Sequence, residues 1–309
     1  MKKYIGESAL LLNTVIWGGT FALIKNALAD ISPLLFLGIR FFLAAAILLP
    51  FIYTLVKKTD KNTFLAGSIL GLFYFLGFAT QTIGLNYTTA TKSGFITGTF
   101  VVFIPILQTI IEKKKPRWYN IVSILFVIVG LIFLSSSGDN LFQFINELGS
   151  GFNIGDFFTL LCAVLFAFQV VYVDVFTKKY DYMPMVFIQL LITGLGGFFG
   201  TIIFSSAGLE AVKFNLNTNV IFALIYTSVF ASIIATILQL KFQKVVSPTK
   251  AGIIYSFEPI MAAVLAFFIV GEKISKFGMF GGVFIVIGLL LSEILENRNE
   301  QTGKSNDNS

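Results

Sequence analysis

One acidic side chain of this sequence lies where an ionisable group is costly. Glu258 falls near the middle of a long apolar stretch, whereas the other acidic residues fall in polar connections, tails or the ends of apolar segments. A carboxylate at the centre of a membrane costs about 2.5 kcal/mol or more, so it needs a wet cavity or a partner. Two interpretations stay open. Glu258 binds a proton or an ammonium group, or its carboxyl group forms a structural hydrogen bond that supports a kink at Pro259.

Two prolines, Pro105 and Pro259, lie inside apolar segments that correspond to each other in the two halves of the chain. Proline removes a backbone donor and bends a helix. Paired broken helices in the two halves of a membrane protein point to a binding site between them. The alternative is the ordinary tolerance of proline in membrane helices.

Seven further polar or amphipathic side chains fall inside apolar segments. Amides and phenols in hydrocarbon need partners, so we expect these side chains to point inward, towards a cavity. Contact with a bound solute and hydrogen bonding between neighbouring helices both remain open for each of them. The seven are Asn13, Trp17, Gln81, Thr97, Gln169, Tyr172 and Tyr255.

Two basic residues also fall inside apolar segments. Lys25 and Arg40 lie near the outer ends of theirs. We expect both to extend towards the membrane interface, as long basic side chains commonly do.

Several kinds of chemistry have no candidate residues. The chain has no histidine, and its single cysteine, Cys162, lies inside an apolar segment. Disulfides within the chain and multi-thiolate metal sites are therefore excluded, and we predict neither a metal nor a cofactor. HExxH, GxSxG and GxxxxGK[ST] motifs are missing as well, which argues against a membrane enzyme and against a P-loop pump.

The high hydrophobic and low charged fractions of the chain indicate a membrane protein. The chain is 56% hydrophobic and only 12% charged, about half the charged fraction of a soluble domain. A helix that crosses a membrane needs about 20 mostly apolar residues, and helices satisfy their own backbone groups there. We therefore predict an all-α membrane protein with ten transmembrane helices. The predicted spans are 8–28, 34–56, 64–84, 93–111, 118–135, 155–176, 184–206, 219–240, 250–270 and 277–294.

The distribution of basic residues predicts the orientation. With the N-terminus in the cytoplasm, 16 of the 22 Lys and Arg residues fall on the cytoplasmic side, as the positive-inside rule requires. The same clustering between apolar segments orients helices and does not indicate nucleic-acid binding, despite a formal charge of +6. We read the basic start as a retained first helix and not as a cleaved signal peptide. The predicted location is the bacterial cytoplasmic membrane, with both termini in the cytoplasm.

The two halves of the chain resemble each other. Residues 91–94 (TKSG) match residues 249–252 (TKAG), and the same offset of 158 places FVIVGL, 126–131, on FIVIGL, 284–289. Gly6 and Gly155 are related by the shorter offset of 149. A shared offset at both ends of a 40-residue stretch indicates an internal repeat.

These matches predict four parts: a first repeat at 1–136, an outer linker at 137–154, a second repeat at 155–294 and a polar tail at 295–309. We expect the tail to be disordered. Five helices per repeat is an odd number, so the second repeat runs through the membrane in the opposite direction. Two inverted repeats can expose one central site to each side in turn, which is typical of transporters.

Segments in both halves carry a resemblance to a known family. The chain resembles the EamA-type members of the drug/metabolite transporter superfamily, and the likeness in helix order extends over nearly the whole chain. The resemblance implies a ten-helix basket with a central cavity. It also implies that the protein exports amino acids, related metabolites or drugs. One departure is the strongly basic run that follows the family's acidic residue, here Glu112. The resembling segments are NTVIWGGTFALIK (13–25), Arg40-Phe41, QTIGLNYTTATKSGFITGTFVVFIPIL (81–107), GDFFTLLCAVLFAFQVVYVD (155–174) and SFEPIMAAVLAFFIVGEKIS (256–275).

The sequence thus predicts a secondary transporter, with a channel or a receptor-like protein that binds a small solute as the alternative. Expected partners are a small-molecule substrate and membrane lipid, without nucleic acid, in a monomer or a homodimer.

Overall fold

The computed structural model describes residues 2–134, 152–271 and 275–306. The described part is a bundle of ten long helical elements joined by short connections, and α4, α8 and α9 are each interrupted. The elements are α1 (Lys2–Ala27), α2 (Pro33–Lys57), α3 (Lys61–Tyr87), α4 (Ala90–Gly98 and Phe100–Glu112), α5 (Trp118–Leu134), α6 (Ile154–Thr177), α7 (Tyr182–Ser206), α8 (Thr218–Tyr226, Thr227–Ile234 and Ala235–Phe242), α9 (Pro248–Tyr255 and Glu258–Val270) and α10 (Lys276–Asn306).

Nine of these elements are long and apolar enough to cross a membrane, counted over the described residues. The tenth, α5, is an apolar helix of 17 residues. At 1.5 Å per residue it is about 25 Å long, close to the thickness of the hydrocarbon core. The prediction of an all-α, multi-pass membrane protein is confirmed.

Short polar side chains define where many of the helices begin. Asp60 at α3, Thr89 at α4, Asp181 at α7, Asn217 at α8 and Ser247 at α9 each accept a hydrogen bond from a backbone N–H of the first turn. These bonds satisfy donors that the helix itself leaves unpaired.

A reciprocal capping box begins α6. The backbone N–H of Asn153 donates to Asp156, and the backbone N–H of Asp156 donates to the Asn153 side chain, at 2.9 and 3.0 Å. This arrangement satisfies two unpaired donors at once and fixes the position of the Asp156 carboxylate.

The interruptions of α4 and α9 lie at equivalent positions. The first half of α4 ends at Gly98 and that of α9 ends at Tyr255, while the second halves begin at Phe100 and Glu258, 158 residues apart. Pro259 lies in the first turn after the break in α9. The prediction that Pro105 breaks α4 is wrong, because the helix continues through Pro105 and the interruption falls at Thr99. Pro105 is the sixth residue of the segment that begins at Phe100. Its missing N–H would bond to a carbonyl of the first turn, beside the existing break, so few helical bonds are lost.

Glycines allow α4 and α9 to cross closely at these breaks. A Cβ atom on Gly94 would lie 2.9 Å from the Cβ atom of Ala262, and one on Gly252 would lie 2.7 Å from a methyl group of Ile104. Gly94 and Gly252 are 158 residues apart, and so are Ile104 and Ala262. The first segment of α4 therefore packs against the second segment of α9, and the first segment of α9 packs against the second segment of α4.

Two boundaries differ from the sequence prediction. Helix α10 continues to Asn306, so the polar segment from residue 295 to 306 is helical and not disordered. It follows an apolar helix without Gly or Pro between 289 and 302, so nothing ends the helix there. Most of the predicted linker, residues 137–151, lies outside the described residues.

Candidate functional site

A cavity lies at the centre of the bundle. It contains about 480 Å³ that protein atoms do not fill, counted to its mouth, and the centre of a water molecule can occupy about 40 Å³ of this space. The cavity is therefore narrow and suits a few waters or a small polar group. Helices α1, α3, α4, α6, α8 and α9 contribute its walls. The lining residues are Trp17, Thr20, Tyr74, Phe78, Gln81, Thr97, Phe100, Phe166, Gln169, Val170, Gln239, Tyr255 and Glu258.

Five of the seven polar residues predicted to face a cavity line this one: Trp17, Gln81, Thr97, Gln169 and Tyr255. The indole N–H of Trp17 donates to the carbonyl oxygen of Ala231 at 3.0 Å. The Trp17 ring lies 5.5 Å from that of Tyr255. One end of the cavity is therefore an aromatic corner between α1 and α9, fixed by a bond to α8.

Amide side chains form the polar wall of the cavity. Gln81 donates to the hydroxyl of Thr97 at 3.2 Å, and this bond joins α3 to α4. Gln169 and Gln239 exchange hydrogen bonds at 3.0 and 3.3 Å, which join α6 to α8. Each amide still has donor or acceptor capacity to spare, so the wall can bond to a polar solute.

Glu258 faces the cavity at the first residue after the break in α9. Its side chain is 8% exposed, and no described residue forms a hydrogen bond or an ion pair with its carboxyl group. The structural hydrogen bond that was one interpretation of Glu258 is therefore missing from the described residues. A buried carboxyl group in this position is stabilised by being neutral or by a bound cation.

Two predicted residues lie outside the cavity. Asn13 is fully buried one turn before Trp17, and its amide donates to the carbonyl oxygen of Ala235 at 3.0 Å. Tyr172 stacks on Phe73 and Phe176, with ring centroids 5.6 and 5.4 Å apart. Asn13 thus bonds two helices, which was the alternative interpretation for this set, and Tyr172 packs against α3 by ring stacking. Pro105 also lies away from the cavity, in an apolar groove between α4 and α5.

The internal repeat relates lining residues that the sequence analysis did not select. Gln81 and Gln239 are 158 residues apart, as are Thr97 and Tyr255, and Phe100 and Glu258; all six line the cavity. At the shorter offset of 149, Trp17 corresponds to Phe166, and Thr20 to Gln169. The offset alone could have identified Gln239 from Gln81. The cavity wall is thus built from equivalent positions of the two halves.

Two ion pairs lie at opposite ends of the bundle. Where α4 and α6 begin, the Lys92 ammonium lies 2.7 Å from the fully buried carboxylate of Asp156. Where α1 and α9 begin, Lys250 lies 2.6 Å from Glu7. Lys92 and Lys250 are 158 residues apart, and Glu7 and Asp156 are 149 apart. The repeat therefore places an equivalent pair at each end.

The two ends differ in the number of carboxylates around the lysine: among the described residues, Lys92 contacts one, and Lys250 contacts three. Lys250 also contacts Glu293, at 2.5 Å, and Glu296, both on α10. The carboxylates of Glu7, Glu293 and Glu296 lie close enough together to ligate a metal ion. The Lys250 ammonium contacts all three, however, so the cluster is arranged as an ion-pair network.

A second group of buried carboxyl groups lies between the ends of α4 and α6. Glu112 and Asp174 lie near each other, and their side chains are 6% and 2% exposed, respectively. Lys178 and Lys114 form ion pairs with Asp174 and Glu112, respectively.

The expectation that Arg40 extends to the interface is wrong. Its side chain is fully buried, and its Nε–H donates to the hydroxyl of Ser232 on α8 at 3.0 Å. Lys25 donates to the carbonyl oxygens of Leu85 and Asn86 at the end of α3, so it does lie at a helix end.

A many-helix membrane bundle around a central cavity with polar and aromatic walls defines the class of this protein, and sequence comparison identifies the family. The profile of the EamA-like transporter family matches residues 4–136 and again 153–294. The chain belongs to the EamA-like transporter family.

Proteins that align with nearly the whole chain are also named as transporters. An uncharacterized transporter of Archaeoglobus fulgidus is 32% identical over 293 residues, which cover 94% of this chain and 86% of the relative. The uncharacterized transporter YrdR of Bacillus subtilis is 27% identical, with 97% and 95% covered. A crystal structure with 17% identity superimposes with a TM-score of 0.73 over 95% of this chain and 99% of the other, which is a likeness in fold. The protein is a multi-pass membrane transporter.

Proposed function

We propose that this protein is a secondary transporter that exports amino acids or related small metabolites, or drugs, by alternating access. The single observation that carries the proposal is the cavity itself, because equivalent positions of the two halves line it. In this mechanism the two halves are inverted repeats in the bacterial cytoplasmic membrane, with both termini in the cytoplasm. Equivalent halves of opposite direction can exchange conformations and so expose one site to each side in turn.

The two ion pairs support this mechanism. Lys92–Asp156 and Lys250–Glu7 join equivalent helices at opposite ends of the bundle. In alternating access one pair opens while the other stays closed. In this mechanism Lys92–Asp156 closes the outer end and the Lys250 network closes the inner end.

Glu258 is the proposed coupling residue. It has no partner among the described residues and lies beside the amide wall, so a proton or the ammonium group of a solute can neutralise it. The Glu112–Asp174 pair lies near the inner end and does not line the cavity. We assign it to the structure of that end.

The chemistry of the walls favours solutes with an amino group and an apolar or aromatic part. Aromatic rings of Trp17, Phe166 and Tyr255 offer apolar contact and attract cations, and Gln81 and Gln239 offer hydrogen bonds. Because a water centre has only about 40 Å³ available, helices must move apart before such a solute enters. In this conformation the cavity is too narrow to hold such a solute.

Counterflow separates a transporter from the alternative, a channel or a receptor-like protein. Purified protein in liposomes loaded with an unlabelled amino acid should transiently accumulate the same labelled amino acid, with saturation as its concentration rises. A channel gives no such overshoot, and a receptor gives no uptake. Growth rescue under toxic amino acids or their analogues selects the solutes to test. Failure of every selected solute to show counterflow would refute the proposal.

The ion pairs can be tested in the same protein. In a Cys162→Ala, Thr97→Cys background, Lys92→Gln should speed labelling of residue 97 by an impermeant thiol reagent from the outer side. Lys92→Arg, which keeps the positive charge opposite Asp156, should leave labelling slow. Lys178→Gln, which removes an ion pair within α6, is the matched control and should leave the rate unchanged.

The orientation needs a separate measurement. A reporter active only in the cytoplasm should work when fused after residue 295 or inserted at Thr59–Asn62, and should fail in 136–154. Activity in 136–154 would contradict the inverted repeat.

A further inference from the structure

Arg40 is a buried cation that the mechanism above leaves unused. Its side chain is the largest that is fully buried in the described part of the chain. The Nε–H donates to Ser232 at 3.0 Å, but the terminal nitrogens Nη1 and Nη2 have no hydrogen-bond partner. The guanidinium carries five N–H donors in a fixed fork, so four of them are unsatisfied.

The surroundings of Arg40 supply no negative charge. No described carboxylate forms an ion pair with it. The rings of Phe41 and Phe78 lie 4.6 and 4.8 Å from its central carbon, and a cation over a ring face is attracted by the ring. That attraction leaves the N–H donors of the fork unpaired, and unpaired buried donors are costly.

Phe78 separates Arg40 from the cavity. Its ring lines the cavity on one side and covers the guanidinium on the other. A change in the Phe78 rotamer would therefore connect the unpaired nitrogens with the solute space. Tyr74, one turn earlier on α3, lines the cavity beside it.

The helix that holds Arg40 in place is also unusual. Ser232 and Ser228 both lie in the π-helical segment Thr227–Ile234 of α8. The Ser228 hydroxyl donates to the carbonyl oxygen of Arg40 at 2.9 Å, so α8 bonds both the backbone and the side chain of Arg40. π-helical turns are uncommon and occur frequently at functional sites. Here the segment turns two hydroxyls towards one arginine.

We propose that Arg40 is the anion subsite of the transport cavity and binds the carboxylate of the solute once the Phe78 ring moves aside. A guanidinium fork matches a carboxylate with two parallel hydrogen bonds. With Glu258 on the same cavity, the site then takes a zwitterion, the ammonium group at Glu258 and the carboxylate at Arg40. This inference rests on the proposed transport through the cavity.

Chemical modification tests the access of Arg40 to the cavity. In an Arg117→Lys, Arg298→Lys background, Arg40 is the one remaining arginine. Treatment of the active protein in liposomes with 2,3-butanedione, followed by mass spectrometry, should show modification of Arg40. Phe78→Ala should speed modification at least several-fold, and Phe73→Ala, which removes a ring stacked on Tyr172 outside the cavity, should not. Arg40 left unmodified in both the parent and Phe78→Ala proteins would overturn the proposal.

Matched solutes test the recognition of the carboxylate. Each amino acid found to bind is compared with its amide as a competitor of counterflow or as a protectant of Arg40 against 2,3-butanedione. We expect the acid to bind about 30-fold or more tightly than the amide, the scale for losing one partner of a buried charged pair. Arg40→Gln should reduce this ratio to a few-fold, while Arg40→Lys should retain part of it.

The outcomes separate this inference from the proposed function. Counterflow with equal binding of acid and amide refutes the anion subsite and leaves the transporter intact. Protection of Arg40 by carboxylates without any counterflow supports the subsite and refutes the transport mechanism. If Arg40→Gln does not fold, the acid-to-amide ratio of the parent and of Arg40→Lys decides.

Discussion

Gln169 and Gln239 join α6 to α8 by two hydrogen bonds between their side-chain amides, at 3.0 and 3.3 Å. The first half of the chain has no matching pair among its described residues. Gln81, the equivalent of Gln239, bonds to Thr97 on α4 instead. The cavity wall is therefore symmetric in its positions but not in its bonds.

The amide pair predicts that the losses of stability in the two single variants do not add up in the double variant. Gln169→Leu or Gln239→Leu alone leaves a buried amide without its partner, which should cost about 1–3 kcal/mol. The double Leu variant should be destabilised by less than the sum of the two, because no amide remains unpaired. Thermal unfolding of all four proteins in one detergent measures this. Strict additivity would mean that the two bonds do not form.

Glu258→Gln should separate coupling from binding. The amide keeps the size and hydrogen-bonding capacity of the side chain but cannot carry a proton. We expect pH-driven uptake in vesicles to fall at least tenfold, while exchange of labelled for unlabelled solute survives because exchange moves no net proton.

The same preparation supplies the control, since both fluxes are measured with one batch of vesicles. Full pH-driven uptake by Glu258→Gln would remove Glu258 from the mechanism. Equal loss of both fluxes would assign Glu258 to solute binding.

Close packing of α1 on α9 predicts a steric penalty at Gly18. A Cβ atom there would lie 2.5 Å from the Cβ atom of Met261 and 2.9 Å from the backbone nitrogen of Ala262. Gly18→Ala should destabilise the protein by about 1–3 kcal/mol. Gly282→Ala on α10, with nothing within 4 Å of its added methyl group, is the control and should be neutral or stabilising by up to about 1 kcal/mol. The reverse order in thermal unfolding would disprove this packing.

The cap of α3 predicts a pH dependence at an exposed helix end. Bonds from the hydroxyl and backbone N–H of Thr63, and from the N–H of Asn62, hold the pKa of Asp60 below its usual value. A lowered pKa in the folded state stabilises the helix end above the unfolded pKa, about pH 4, and this contribution is lost as the pH falls through the folded pKa.

Hydrogen exchange at Asn62 and Thr63, corrected for intrinsic rates, measures this cap. Protection should decline below about pH 4 in the parent protein. Asp60→Asn keeps an acceptor at the cap but removes its titration, so its protection should not change over that interval. An unchanged profile in the parent would contradict the carboxylate cap.

The sequence was most informative about polar residues that lie inside apolar segments. Trp17, Gln81, Gln169 and Glu258 stand out against hydrocarbon, and all four line the cavity. Tyr172 stands out equally but lies about 60° around α6 from Gln169, on the side away from Val170. Sequence spacing alone did not establish which edge of the α6 polar face turns towards α3 and its aromatic rings.

Arg40 shows a different limit. Its distance from the start of α2 is about 10 Å, short enough for the side chain to reach the interface. The partners that hold it inside belong to α8, some 190 residues later. Only the packing of α2 against that π-helical segment reveals them.

The narrowness of the central cavity has a consequence for the ion gradients of the membrane. A hydrogen-bonded file of water across about 30 Å of hydrocarbon needs about ten molecules, whereas about 40 Å³ of room for water centres holds three or four. In this conformation the cavity itself does not have room for such a file of water. We therefore expect many copies in this conformation to share one membrane without dissipating its potential.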